Sequence, residues 1–284
     1  MKRVQIVTDS TSDVPATLAS ELNIVVVACQ VFVGDEVYQD GVDLSPEEFF
    51  EKLARSSELP HTSQPPVGRF VETYRRLLAE EPDTEILSIH VAGNLSGTVN
   101  AAWAAAQMLP EPSRVEVIDS GQLSMGLGWA VIKAAQMART AVERAEVSEG
   151  VKALLPCLRA AAMIDRLENL YKGGRISHIS AVLGTALQIK PLLSVQEGQV
   201  SVWSKVRTRS RAMKELAARV HSWAPLTEIA VMHTGAVELA QNLVATLHGL
   251  VPAERVVVGP AGPALTAHLG LGAVGVLALK AAEE

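Results

Sequence analysis

The sequence predicts an α/β protein of two domains. An N-terminal domain over residues 1–150 carries a mainly parallel sheet, and a C-terminal α+β domain over residues 151–284 carries a mixed sheet. Three observations lead there. Short apolar runs alternate with helix-period segments from Val4 to about Thr140, the pattern of strands joined by crossover helices. The polar, acidic stretch Glu143 to Gly150 then interrupts that alternation. Beyond it, Lys190 to Val206 reads as a hairpin turning at Glu197-Gly198, a unit that belongs to antiparallel or mixed sheets.

Val4 to Val7 is the first strand. Asp13 is placed to cap a helix that tolerates Pro15 in its first turn and runs to about Leu22. Ile24 to Val33 is β-branched and apolar, and reads as one buried strand that Gly34-Asp35 turns back into Glu36-Val37-Tyr38. Ser45-Pro46-Glu47-Glu48 is a capping box opening a short helix. Val67, Phe70, Val71, Tyr74, Leu77 and Leu78 share one helical face after Thr62-Ser63-Gln64-Pro65-Pro66.

A strand from Glu85 to Ala92 and an alanine-rich helix ending near Leu109 follow. The strand Val115 to Ile118 then leads to a long helix ending near Thr140. In the second half a helix reaches about Ala160, with a strand near Met163-Ile164. The hairpin comes next, then strands at Ile229 to Met232, Val256 to Val258 and Val274 to Leu279, with helices between them.

Composition narrows the function classes. Hydrophobic residues make up 48% and charged residues 20% of the 284, as in ordinary globular proteins. A net charge of −6 disfavours a nucleic-acid binder, which needs a basic surface. Cys29 and Cys157 lie far apart with no metal-ligand spacing, and read as buried structural thiols. Signal-peptide patterning is absent from the first residues and no apolar run approaches a membrane span, so a cytoplasmic protein is expected. Phosphate-loop, dinucleotide, zinc-protease and nucleophile-elbow motifs are all missing, and neither a metal nor a cofactor is implied.

In a parallel sheet, ligands gather beyond the carboxyl ends of the strands. Asp9-Ser10, Gly93 to Thr98 and Asp119-Ser120 fall there. Asp9 admits a nucleophile's role, but a second Asp two residues on, the hydrolase pattern, is replaced by Thr11; capping a turn is the simpler use. Thr62-Ser63-Gln64 and Ser96-Gly97-Thr98 are hydroxyl-rich and sit ahead of helices, where unpaired N–H groups favour an anion. Gly173-Gly174-Arg175 adds a cation. Lys205, Arg207 and Arg209 alternate as they would on one strand face. They are either a solvated charged surface or a docking patch for an acidic partner.

At these motifs the chain resembles the DegV family of bacterial fatty-acid-binding proteins, over essentially its whole length. The segments occur in the family's order: Thr8-Asp9-Ser10-Thr11-Ser12-Asp13, Thr62-Ser63-Gln64-Pro65, Leu95-Ser96-Gly97-Thr98, Asp119-Ser120, Gly173-Gly174-Arg175-Ile176, Lys190-Pro191, Lys205-x-Arg207-Thr208 and His268-x-Gly270-x-Gly272-Ala273. The resemblance implies two domains with one long-chain fatty acid, such as palmitate, buried between them.

Its carboxylate would be held by Thr62, Ser63, Ser96, Thr98, Arg175 and His268. Many relatives carry a serine pair where this chain has Ala92-Gly93, so the Gly93 N–H or the Asn94 amide would substitute for a hydroxyl. Leu269 and Leu271 stand where relatives often carry Thr and Pro. The resemblance further implies the acyl-carrier subunit of a fatty acid kinase, with the ATP chemistry on a partner. A hydrolase using Asp9 or Ser96 with His268, and a regulatory module sensing small carboxylates, are the competing readings.

Overall fold

The computed structural model describes residues 3–56, 58–141, 143–165, 167–176 and 189–281. It divides into two compact units, Met1–Gln30 with Ser63–Pro156, and Val31–Thr62 with Cys157–Glu284. The division thus differs from an expected break at 150/151. Residues 31–62 leave the first unit for the second, and the acidic stretch at 143–150 caps and opens a helix of the first unit.

Along the chain, β1 (Arg3–Asp9), α1 (Ala16–Glu21) and β2 (Val25–Val27) open the first unit. The apolar run from Ile24 is not one strand. After β2 it continues as β3 (Gln30–Val33), which turns into β4 (Glu36–Gln39) and pairs with β5 (His61–Ser63). Between β4 and β5 lies α2 (Pro46–Arg55), whose capping box forms as the sequence implies: Ser45 Oγ accepts from Glu48 N–H, and the Glu48 carboxylate accepts from Ser45 N–H.

The chain then builds α3 (Val67–Glu80), β6 (Thr84–His90), α4 (Thr98–Gln107), β7 (Val115–Asp119), α5 (Met125–Ala138) and α6 (Arg144–Leu154). The first unit's sheet has the order β2-β1-β6-β7 and is parallel throughout. One face packs Val7, Val27 and Ile86 against Phe70 and Tyr74 of α3 and the alanines of α4. Small residues let α4 approach closely, and truncating the fully buried Phe70 to Ala would cost about 3–5 kcal/mol. α5 runs along the sheet against β1, buried over most of its length.

Then follow β8 (Leu158–Met163), α7 (Glu168–Lys172), β9 (Lys190–Gln196), β10 (Gln199–Val206), α8 (Arg209–His221), β11 (Leu226–His233), α9 (Val237–Thr246), β12 (Val256–Pro260), α10 (Pro263–Leu269) and β13 (Val274–Lys280). The expected helix to Ala160 ends earlier, because Leu158 to Met163 pairs into the sheet. That sheet runs β10-β9-β8-β13-β11-β12, antiparallel except for β11 with β12, and is therefore mixed as expected. The β9–β10 hairpin turns on Glu197 (φ 49°) and Gly198 (φ 74°), both left-handed as a two-residue type I′ turn requires. Cys29 is buried, but Cys157 is only half-buried.

Candidate functional site

The residues singled out for carboxylate binding fall into two groups, one in each unit. In the second unit the chain places Thr62 at the middle of β5, beside His61, whose ring stacks on Phe32 of β3 with centroids 4.5 Å apart. Thr62 Oγ1 lies 2.8 Å from His268 Nε2, a bond between residues 206 apart in sequence. His268 sits in the last turn of α10. Burial pulls its pKa down to about 4, and the Arg175 guanidinium adds to the effect, so the imidazole is neutral at pH 7.

The Gly173-Gly174-Arg175 segment ends α7 in a way its glycines explain. Arg175 N–H donates to Leu170 O and Gly174 N–H to Tyr171 O, the two bonds of a Schellman motif, with Gly174 in the left-handed region at φ 75°. A Cβ on Gly173 would stand 2.9 Å from His268 Nδ1, so the bare backbone there makes room for the imidazole. The Arg175 side chain is exposed and folds back to donate to Gly173 O. Ile176, next along, is buried, and Ser177 beyond it lies outside the described residues.

In the first unit, Ser96 Oγ and Thr98 Oγ1 are 2.8 Å apart, and Ser96 Oγ also accepts from Thr98 N–H at the start of α4. This is the helix-start hydroxyl arrangement read from the sequence. Thr62 and Ser63 differ from that reading: they form a strand, Pro66 precedes α3 without a side-chain cap, and Ser63 Oγ donates to Gln64 O. Gly93 departs further. Its N–H already donates to both Asp119 carboxylate oxygens at 3.1 Å, so the backbone donor proposed for a ligand is engaged by an acid of the chain. Asn94 is exposed on the turn that follows.

Asp9 is fully buried and serves the structure. Its carboxylate accepts from Thr11 N–H, from Val91 N–H and from His90 Nδ1 at 3.0 Å. Burial alone would raise its pKa, but the His90 bond and charge, with the Thr11 and Val91 bonds, hold it below the usual carboxylate range. His90 Nε2 meets Ser88 Oγ at 2.7 Å, and Ser88 meets Tyr74 OH at 2.8 Å. The Ser–His–Asp order of a hydrolytic triad is present, yet all three side chains are shut away from solvent. The sequence reading missed His90 because it comes 81 residues after Asp9. Asp13 does not cap α1; it lies in the left-handed region and accepts from Ser124 Oγ.

The basic run also differs from its reading. Lys205 is the last residue but one of β10, Arg207 lies in the following turn, and Arg209 opens α8 behind its N-cap Thr208. Arg209 is bound in a two-pronged ion pair to Asp165, which Lys190 also reaches at 3.2 Å. Lys205 and Arg207 are exposed without an ion pair among the described residues. No cluster of metal-ligating side chains occurs among the described residues, and no described helix is long and apolar enough to cross a membrane.

A family model described as an uncharacterised protein of the DegV family matches residues 3–281. The chain belongs to the DegV family. A DegV domain-containing protein of Halalkalibacterium halodurans is 34% identical over 280 residues, covering 97% of this chain and 98% of the relative. Two solved DegV structures share the fold and are described as binding fatty acid. The Thermus thermophilus protein is 33% identical over 98% of this chain and 99% of its own, with a TM-score of 0.86. Bacillus subtilis DegV is 28% identical over 99% of this chain and all of its own, with a TM-score of 0.88.

Proposed function

We propose that this DegV protein binds a long-chain fatty acid such as palmitate in a buried tunnel and presents the carboxylate to a partner kinase. On this reading it is a carrier in lipid transport or fatty acid metabolism, not an enzyme. It would work in the cytoplasm, where the kinase's ATP is found. The observation that carries the reading is the 2.8 Å bond between Thr62 and the neutral imidazole of His268, whose pKa Arg175 helps to lower. Hydroxyl, imidazole and guanidinium donors are what a carboxylate leaving water needs. Fatty-acid binding by the Thermus thermophilus and Bacillus subtilis proteins supports it.

The energetics agree. Burying about 14 methylenes of a 16-carbon chain is worth roughly 0.8 kcal/mol each, or about 11 kcal/mol gross. Association costs take several kcal/mol of that and leave affinities in the micromolar range or tighter. Asp9 as a structural acceptor argues against the hydrolase. Denaturing mass spectrometry of lipid extracted from the purified protein tests the proposal: a co-purifying long-chain fatty acid is expected. Protein that carries no lipid and takes up no added palmitate refutes it.

A further inference from the structure

Residues 31–62, the segment that leaves the first unit for the second, are charged unlike the rest of the chain. They hold eight acidic and two basic residues, a net charge of −6, and the whole chain with its 31 acidic and 25 basic residues has the same net −6. Everything outside the segment therefore sums to zero. Of the eight acids only Asp40 is buried. Glu36 pairs with Lys52 and Glu51 with Arg55, while Asp35, Asp43, Glu47 and Glu58 enter no ion pair among the described residues.

The same segment exposes an apolar face. β3 ends at Val33 and β4 begins at Glu36, so Gly34 (φ 58°) and Asp35 form a two-residue turn that sets Phe32 across from Val37. On the other side of Phe32 the His61 ring of β5 is stacked at 4.5 Å. Glu36 and Tyr38 turn toward α2, where Lys52 reaches both, so Val37 between them points the opposite way and is 53% exposed. Val42 follows, 70% exposed, its N–H donating to the O of Gln39, the next residue along β4 on the Val37 face. His61, Phe32 and Val37 thus make a row across three strands, about 10 Å long at the usual strand spacing. Asp35 and Asp43 lie beyond the two ends of β4, and Glu58 lies ahead of β5.

A sheet can turn one face to water, but that face then carries polar side chains, and an edge strand is guarded by lysine or proline. Valines stand in those places here. The edge of β4 is ill suited to an added strand, because Gln39 N–H is taken by Asp43 and Gln39 O by the N–H groups of Val42 and Asp43. What remains for a partner is the side chains of the face. A row of about 10 Å matches roughly two turns of a helix lying across it. Free carboxylates around the row call for lysine or arginine beside the helix's apolar stripe. Two copies joined by this same face would set −6 against −6.

We infer that the β4-β3-β5 face is a docking surface for a basic amphipathic helix of a partner protein, with its apolar stripe on Phe32, Val37 and Val42 and its cations toward Asp35, Asp43 and Glu58. It is a different surface from Lys205 and Arg207, which fit an acidic partner.

The test titrates two synthetic amphipathic helices of about four turns, one of Leu and Lys and one of Leu and Glu, into the full chain by fluorescence anisotropy. The Leu/Lys helix should bind, with a Kd that rises with salt, and the Leu/Glu helix should not. Val37→Ser with Val42→Ser should weaken binding about 10-fold or more, and Asp35→Lys with Glu58→Lys by a similar factor. These side chains are exposed, so thermal midpoints should stay at the parent value. Glu238→Lys with Glu254→Lys makes the same charge change at exposed sites outside the segment and should bind as the parent does. A Leu/Lys helix that does not bind, or that binds either segment variant as tightly as the parent, overturns the inference. So does an equal loss in the control, which marks attraction to net charge alone. So does a parent that self-associates in sedimentation velocity and comes apart in the valine variant, which gives the face to a second copy.

Discussion

Replacing Thr62 with Val removes one hydroxyl and almost nothing else. In the structure that hydroxyl lies 2.8 Å from His268 Nε2, so Thr62→Val leaves the imidazole nitrogen without a partner in a half-buried setting. The fold should lose about 1 kcal/mol, the usual net worth of one such bond. Ligand affinity should lose more. If the Thr62–His268 pair meets a carboxylate, the hydroxyl's share is a charge-assisted bond of about 1.5–3 kcal/mol, or roughly 10- to 150-fold in Kd.

Urea denaturation measures the first effect, and titration calorimetry with palmitate and with its methyl ester measures the second. The parent should prefer the acid, and Thr62→Val should narrow the gap. Ser96→Ala, which removes one member of the other hydroxyl pair, should do the same. A double-mutant cycle of Thr62→Val with His268→Gln should show a coupling of about 0.5–3 kcal/mol, because the two groups share one bond. Ser222→Ala, whose Oγ donates to Arg219 O on an exposed helix end, should bind as the parent does. Thr62→Val and Ser96→Ala variants that hold palmitate as tightly as the parent would refute the assignment of the head-group site.

Three further expectations follow from the same geometry. Arg207→Glu should slow acyl-phosphate formation with a fatty acid kinase while leaving palmitate affinity intact, since exposed charges act mainly on association rate; loss of palmitate binding instead would place Arg207 in the pocket. Asp9→Asn should lower stability by about 3–5 kcal/mol in urea denaturation, because it leaves His90 and Val91 with a mismatched partner. Neither it nor the parent should hydrolyse ATP or esters, and parent activity abolished by Asp9→Asn would overturn the carrier. For His268, the folded pKa of about 4 lies below the unfolded value near 6.5. The unfolded chain therefore takes up the proton first, and stability should be full above pH 6.5 and decline toward pH 4, by at most roughly 3 kcal/mol. His268→Asn should flatten that decline in thermal melts across the range.

Much of the local structure was legible because local patterns report local physics. The capping box at Ser45, the left-handed turn at Glu197-Gly198 and the strand–helix alternation over β6, α4, β7 and α5 each depend on residues a few positions apart. The hydroxyls at Ser96 and Thr98 were placed at a helix start for the same reason. What the chain alone could not reveal are choices among distant partners. The apolar run from Ile24 to Val33 reads as one strand, because hydrophobicity records burial and not which sheet does the burying. The structure splits the run between the parallel sheet and the small β4-β3-β5 sheet, and this carries residues 31–62 into the second unit.

Asp9 gives no local sign that His90 will bond to it, nor Gly93 that Asp119 will take its N–H, nor Arg209 that Asp165 will tie it down. An unpaired buried charge or donor has to find a complement, but sequence spacing does not limit where that complement comes from. Residue types and periods determined the elements and the chemistry available. Only tertiary folding decided which donors were consumed by the protein's own acids.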